Sequence, residues 1–259
     1  MKNLKGRTAI ITGAAGGIGT QVARLFDGIG INLALTDIHA EGLEKTAAGL
    51  SGNALRIVCD ITDRAGVQAL VNESAGRFGT VDILVNTAGI IMPALFEDCS
   101  YEDIEKQLRI NLMGAITCTK EVIPVMKKSG GGHIVTVSSM AGIVPETYSA
   151  IYTATKFALR GFSLTIGIEL KKHGIGVSAI FPDSVATPML KYEASHGGSP
   201  LTFLSPPQAP SIVARAILKA VLKNRAEVYV PASTGVFSKA IMCWPWAVSI
   251  IWHVQEFLR

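Results

Sequence analysis

Short apolar runs alternate with amphipathic stretches along the chain, beginning at residue 8. Residues 8–12 predict a strand, followed by a glycine-rich turn and a helix from about Ile18 to Asp27. Six further runs predict strands: residues 31–36, closing on Asp37; 54–59, closing on Asp60; 82–86; 132–138; 176–181; and 227–230. Most are almost wholly apolar instead of alternating, as expected of strands covered on both faces. Strands alternating with helices predict an α/β fold around a parallel seven-stranded sheet. Two long helices are expected over about 101–128 and 149–173. No internal repeat and no linker interrupts the pattern, so 1–259 reads as a single domain. Its longest irregular stretch is 188–210, expected to be a substrate loop. An apolar tail occupies 232–259.

Composition narrows the class. With 49% hydrophobic and 17% charged residues, the 259-residue chain is no disordered or low-complexity sequence. The net charge of +4 comes from scattered basic residues, which gives no nucleic-acid footprint. Cys59, Cys99, Cys118 and Cys243 are widely spaced, with no CxxC and no Cys/His cluster. Neither a metal site nor a redox pair is expected, and reduced thiols of a cytoplasmic protein are. The first eight residues lack the pattern of a signal peptide. Residues 237–253 carry all three tryptophans but are short and broken by Pro245, which argues against a membrane span. That tail could cover a pocket, join subunits or lie in a membrane interface.

Candidate chemistry centres on Tyr152 and Lys156. Four residues apart on a predicted helix, they share one face. A phenol titrates near pH 10, and a neighbouring ammonium is expected to lower that value towards neutrality. A pair on a solvated helix face is the bland alternative. Ser139, thirteen residues before Tyr152, could orient a substrate oxygen or simply cap a loop.

The first strand runs into Gly13-x-x-x-Gly17-Ile18-Gly19. Glycines at a strand–turn–helix junction let backbone approach a pyrophosphate, and the helix N-terminus supplies N–H groups. The acid at the end of the second strand, Asp37, suits ribose hydroxyls. It would repel the extra phosphate of NADP, and no basic residue stands beside it. NAD is therefore expected over NADP. Capping the following helix is the alternative use of Asp37.

Taken in order, these motifs resemble the short-chain dehydrogenase/reductase family, from Lys5 to about Pro231. The resemblance implies a three-layer, doubly wound Rossmann-type fold. It implies that Gly13, Gly17, Ile18 and Gly19 hold the cofactor and that Asp60 binds the adenine amino group beside Ile61. Asn86, Ala88 and Gly89 match the segment that steadies the sheet and lines the cofactor, with Thr87 replacing a usual asparagine. Pro182, Val185 and Thr187 match the nicotinamide side, although Asp183 stands where a glycine is usual. By the same resemblance Tyr152 exchanges the substrate proton and Lys156 tunes it and binds the nicotinamide ribose. Ser139 orients the substrate, and Asn111 holds a relay water. Homotetramers or homodimers built on the two long helices are expected.

The walls near Ser139, Met140 and Met189 suggest a hydrophobic secondary alcohol or ketone, such as a steroid, retinoid or acyl chain. An epimerase or dehydratase with retained NAD, and a non-catalytic NAD-binding scaffold, are the competing classes.

Overall fold

A computed structural model describes residues 3–52, 54–244 and 246. The seven strands are β1 (Thr8–Thr12), β2 (Asn32–Asp37), β3 (Leu55–Val58), β4 (Ile83–Asn86), β5 (Gly132–Val137), β6 (Ile175–Pro182) and β7 (Glu227–Val230). They form one parallel sheet in the order β3-β2-β1-β4-β5-β6-β7. Helices α1 (Gly17–Gly28), α2 (Ala40–Ala48) and α3 (Arg64–Phe78) follow the first three strands; α4 (Tyr101–Gln107) and α5 (Ala115–Lys128) follow β4. The remainder are α6 (Ala150–Leu170), α7 (Pro188–Ser195), α8 (Pro210–Lys223) and α9 (Ala232–Ile241). The inner strands β1, β4 and β5 are buried at every residue, which explains their largely apolar sequences. Edge strand β3 alternates between half-buried and exposed positions.

Two cores flank the sheet. One gathers Val22, Phe26 and Leu43 with Val213, Ile217 and Val221 of α8. The other gathers Val67, Leu70 and Val71 with Val122 and Met126 of α5. Among the described residues no helix is long and apolar enough to cross a membrane. Of the tail, α9 and a few residues beyond it are described; 247–259 lie outside the described residues.

Two expected elements differ. The helix over 101–128 is interrupted by a π-helical stretch, Leu108–Gly114, between α4 and α5. Within it, the Asn111 carboxamide clasps the Ile90 peptide, accepting from its N–H and donating to its carbonyl, both at 2.8 Å. Such wide turns commonly aim one side chain at a functional site. The stretch 188–210 is also less irregular than expected. Thr187 caps α7 through its hydroxyl and Pro188 occupies the first turn, a start signal that was present in the sequence.

Candidate active site

Winding outward from β1 reverses direction between β2 and β4. In open parallel sheets ligands bind beyond the strand ends at such a switch point. The glycine turn after β1 lies there. Gly13 has φ +63°, and a Cβ on it would sit 2.7 Å from the Ala88 Cα. A Cβ on Gly17 would meet the Thr187 Cγ2 at 2.7 Å, and one on Gly19 would overlap the Gly13 carbonyl oxygen. No side chain caps α1. The turn opens on a cavity of about 480 Å³, whose walls also include Ile18, Asp37, Asp60, Ile61, Ala88 and Gly89.

Asp37 accepts hydrogen bonds from the Ala15 and His39 N–H groups, each at 3.1 Å. The cap residue of α2 is His39, so Asp37 does not serve that role. Asp60 accepts from the Thr62 N–H at 2.8 Å. Thr87 ties the two central strand ends together, its hydroxyl donating to the Thr12 carbonyl at 2.5 Å. Its neighbour Asn86 is buried behind the cavity wall and donates to the Thr119 hydroxyl. An uncapped helix N-terminus, a glycine-rich turn and a carboxylate in the cavity wall fit a dinucleotide.

Tyr152 and Lys156 lie one turn apart on α6 and are 9% and 4% exposed, which excludes the solvated-face reading. The lysine Nζ is 5.2 Å from the tyrosine ring centre and donates to the Val137 carbonyl at 3.2 Å. Ser139, just beyond β5, accepts from the Ala141 N–H and so caps a short turn as well as facing Tyr152. These three line a smaller cavity of about 110 Å³ with Met140, Pro182, Val185 and Met189. Both cavities share Ile18, Thr87, Gly89, Thr187 and Met189 in their walls, so they form one continuous cleft. Asn111 lies behind Gly89, where a Cβ would approach its Oδ1 to 3.2 Å and the Lys156 Nζ to 3.7 Å.

The expectation that Lys156 lowers the phenol pKa is not met. Burial pushes Tyr152 well above the usual phenol range, and the carboxylates of Glu146 and Glu193 add to this; only the Ser139 hydroxyl pulls it down. Lys156 is itself pushed down to about 8 by burial and points its ammonium at a carbonyl oxygen. Tyr152 is thus held as a neutral proton donor.

Sequence reasoning found Met140 and Met189 in the wall but missed Glu146 and Glu193, which stand beside them. Glu193 was legible in principle. It lies four residues after Met189 on α7, so a helix that turns one to the pocket turns the other. Glu146 sits on an irregular loop without a periodic signal. Asp183 also lines the smaller cavity, and its backbone lies outside the left-handed region that glycine favours.

A family model described as short chain dehydrogenase matches residues 7–197. The chain belongs to that family. Oxidoreductase UcpA of Salmonella typhimurium is 38% identical over 229 residues, covering 87% of this chain and 84% of the relative. D-threitol dehydrogenase of Mycolicibacterium smegmatis is 39% identical over 187 residues, 71% of this chain and 72% of the relative. Among solved structures, a 3-ketoacyl-(acyl-carrier-protein) reductase from Brucella melitensis complexed with NADH superposes with a TM-score of 0.80. That pair is 29% identical, with 88% of this chain and 98% of the other covered. In this short-chain dehydrogenase the glycine turn, Asp37, Asp60, Ser139, Tyr152 and Lys156 border one cleft, and Asn86 and Asn111 stand behind its wall.

Proposed function

We propose that this protein is an NAD-dependent oxidoreductase that interconverts a secondary alcohol and a ketone. The observation that carries the reading is the burial of Tyr152 and Lys156 together, facing Ser139, in a cleft continuous with the glycine turn. When bound, the nicotinamide gives or takes the hydride. The protein positions the partners and handles the proton.

In reduction, Tyr152 donates its phenolic proton to the carbonyl oxygen as charge develops there. Ser139 donates a second hydrogen bond to the same oxygen, and aimed donors of this kind are worth about 3 kcal/mol each. Lys156, whose Nζ lies 5.2 Å from the Tyr152 ring centre and donates to the Val137 carbonyl, holds the nicotinamide ribose hydroxyls in this reading. Asn111 fixes the backbone after Gly89, the wall nearest the ammonium. In oxidation the same groups act in reverse, and Tyr152 must first lose its proton.

NAD is preferred over NADP in this reading because Asp37 stands at the adenosine end of the cleft. A hydrophobic substrate body finds support in Met140, Val185, Met189 and Leu190. Assembly through α4, α5 and α6 finds support in the exposed Tyr101, Met113 and Ile168.

The test is hydride transfer itself, with both dinucleotides and a panel of secondary alcohols and ketones. NAD(H) should be used about a hundredfold better than NADP(H) in kcat/KM, roughly 2.7 kcal/mol. If NAD binds saturably and no member of the panel reacts, the enzyme reading fails and the scaffold reading replaces it.

A further inference from the structure

Three carboxylates reach the smaller cavity from separate parts of the fold. Glu146 comes from the loop before α6, Asp183 from the end of β6, and Glu193 from α7. Among the described residues, the only basic side chain in the same wall is Lys156. None of the three acids forms a salt bridge among the described residues. Glu193 is buried and Glu146 and Asp183 are half-buried; charges drawn away from water are normally paired, because desolvation without a partner is costly.

Their local bonds differ. Glu193, 6% exposed, accepts from the Thr202 hydroxyl at 2.8 Å. Asp183 accepts from the Ser184 N–H at 2.9 Å. Thr202 also contributes to the wall, and the Ser184 hydroxyl donates to its carbonyl, which latches the loop after β6 against the turn that orients Glu193. Glu146 forms no hydrogen bond within the described protein, yet it borders the cavity. The carboxylates sense one another: burial first, then Glu193 and Asp183, push the Glu146 carboxyl up to about 8. Burial also pushes Glu193 up.

In the hydride-transfer reading the cavity is the substrate pocket, since Ser139 and Tyr152 form part of its wall. An acidic lining whose carboxyls are held back from ionising, and would ionise against a cationic guest, bears on what enters. A divalent cation is disfavoured as the occupant, because no three acids, histidines or cysteines among the described residues are placed to hold a metal ion. An organic ammonium is larger, donates several hydrogen bonds, and needs no convergence at metal distances. A plain hydrocarbon would leave the carboxylates desolvated and unpaired, and an anion would be repelled.

We propose that Glu146, Asp183 and Glu193 recognise a protonated amino group carried beside the reacting carbon, so that the substrate is an amino alcohol or amino ketone. This rests on the hydride-transfer reading of the same cleft. Glu146 is the principal partner because its carboxyl has no protein hydrogen bond, while Glu193 and Asp183 set the field around it.

Isopropanolamine, sec-butanol and propylene glycol form the test set. They place an ammonium, a methyl or a hydroxyl on the carbon next to the same secondary alcohol. Binding to the NAD-loaded protein is measured by calorimetry, and NADH formation is followed in parallel. The ammonium compound should bind at least tenfold tighter than sec-butanol and also tighter than propylene glycol. Glu146→Gln and Glu193→Gln should each pull the ratio of ammonium to methyl compound towards one. Equal or weaker binding of the amine, or a ratio unchanged in both variants, overturns the proposal. So does preference for propylene glycol, which would mark a polyol pocket. Charge-dependent amine binding with no NADH formed from any of the three sustains the ammonium site and sinks hydride transfer. NADH formed from sec-butanol without amine preference does the reverse.

Discussion

At the scale of single residues, the site is governed by burial more than by pairing. The Tyr152–Lys156 spacing suggested an ammonium that acidifies a phenol. The folded arrangement instead leaves the phenol neutral and the ammonium weakened, because both groups are desolvated and two carboxylates stand on the phenol's side. The sign of the pH dependence follows. Ketone reduction needs neutral Tyr152, which persists well into alkaline solution, and charged Lys156, which is lost as pH rises through about 8. The rate of reduction should be flat below that pH and fall above it. Glu146 titrates in the same range, so the two groups report jointly. In Glu146→Gln the descending limb that remains belongs to Lys156. A reduction rate that climbs steadily through pH 8 in that variant would contradict the assignment.

A second buried group speaks to stability. The His133 Nε2 is 2.8 Å from the Ser178 hydroxyl, which donates in turn to the Arg225 carbonyl, so Nε2 carries the proton of a neutral ring. Burial pushes His133 down to about 4. Between pH 6.5 and about 4 the unfolded chain therefore binds a proton that the folded chain does not. Stability contributed by the neutral ring is lost as pH falls through that window, by about 3 kcal/mol in all. Urea unfolding of His133→Asn should show a flatter dependence on pH there than the wild type. An identical slope would mean that His133 is not buried neutral.

At the scale of elements, strands were legible because inner strands of a parallel sheet must be apolar on both sides. Seven were expected, and seven pair in register. The π-helical stretch at Asn111 was not legible, since its cause is a side chain bonding to Ile90, twenty-one residues earlier. Helix α7 was signalled by Thr187-Pro188 but obscured by the glycines and prolines that follow it. Thr87 departs from the family pattern, yet its hydroxyl still links β4 to the end of β1. The glycine turn yields the clearest element-scale prediction. In Gly19→Ala the new methyl meets backbone on the Gly13 and Ala14 side, which cannot move cheaply. NAD affinity should fall at least tenfold while far-ultraviolet circular dichroism stays that of the wild type. Unchanged affinity would show that the turn does not hold the pyrophosphate.

At the scale of the whole molecule, the sheet places two unlike sites end to end. The glycine turn and Asp37 lie on the β1–β2 side of the switch point, and Tyr152, Lys156 and Ser139 lie towards β5 and α6. Motif order along the chain made this juxtaposition legible, because each motif follows a strand of the same sheet. Substrate chemistry was far less legible. Glu146, Asp183 and Glu193 are scattered in sequence and converge only where the loop before α6, the end of β6 and α7 meet at the pocket. Not every apolar residue near Met140 reaches the cavity: Ile143 is buried in a small core with Phe181 and Ala179.

The central claim is that the phenolic hydroxyl of Tyr152 carries the proton that hydride transfer requires. Its most direct test is the turnover number of Tyr152→Phe, with NAD affinity measured on the same preparation. The account predicts unchanged NAD binding and a loss of turnover of about a thousandfold or more, within the range of general acid–base catalysis. Turnover within a few-fold of the wild type would contradict it.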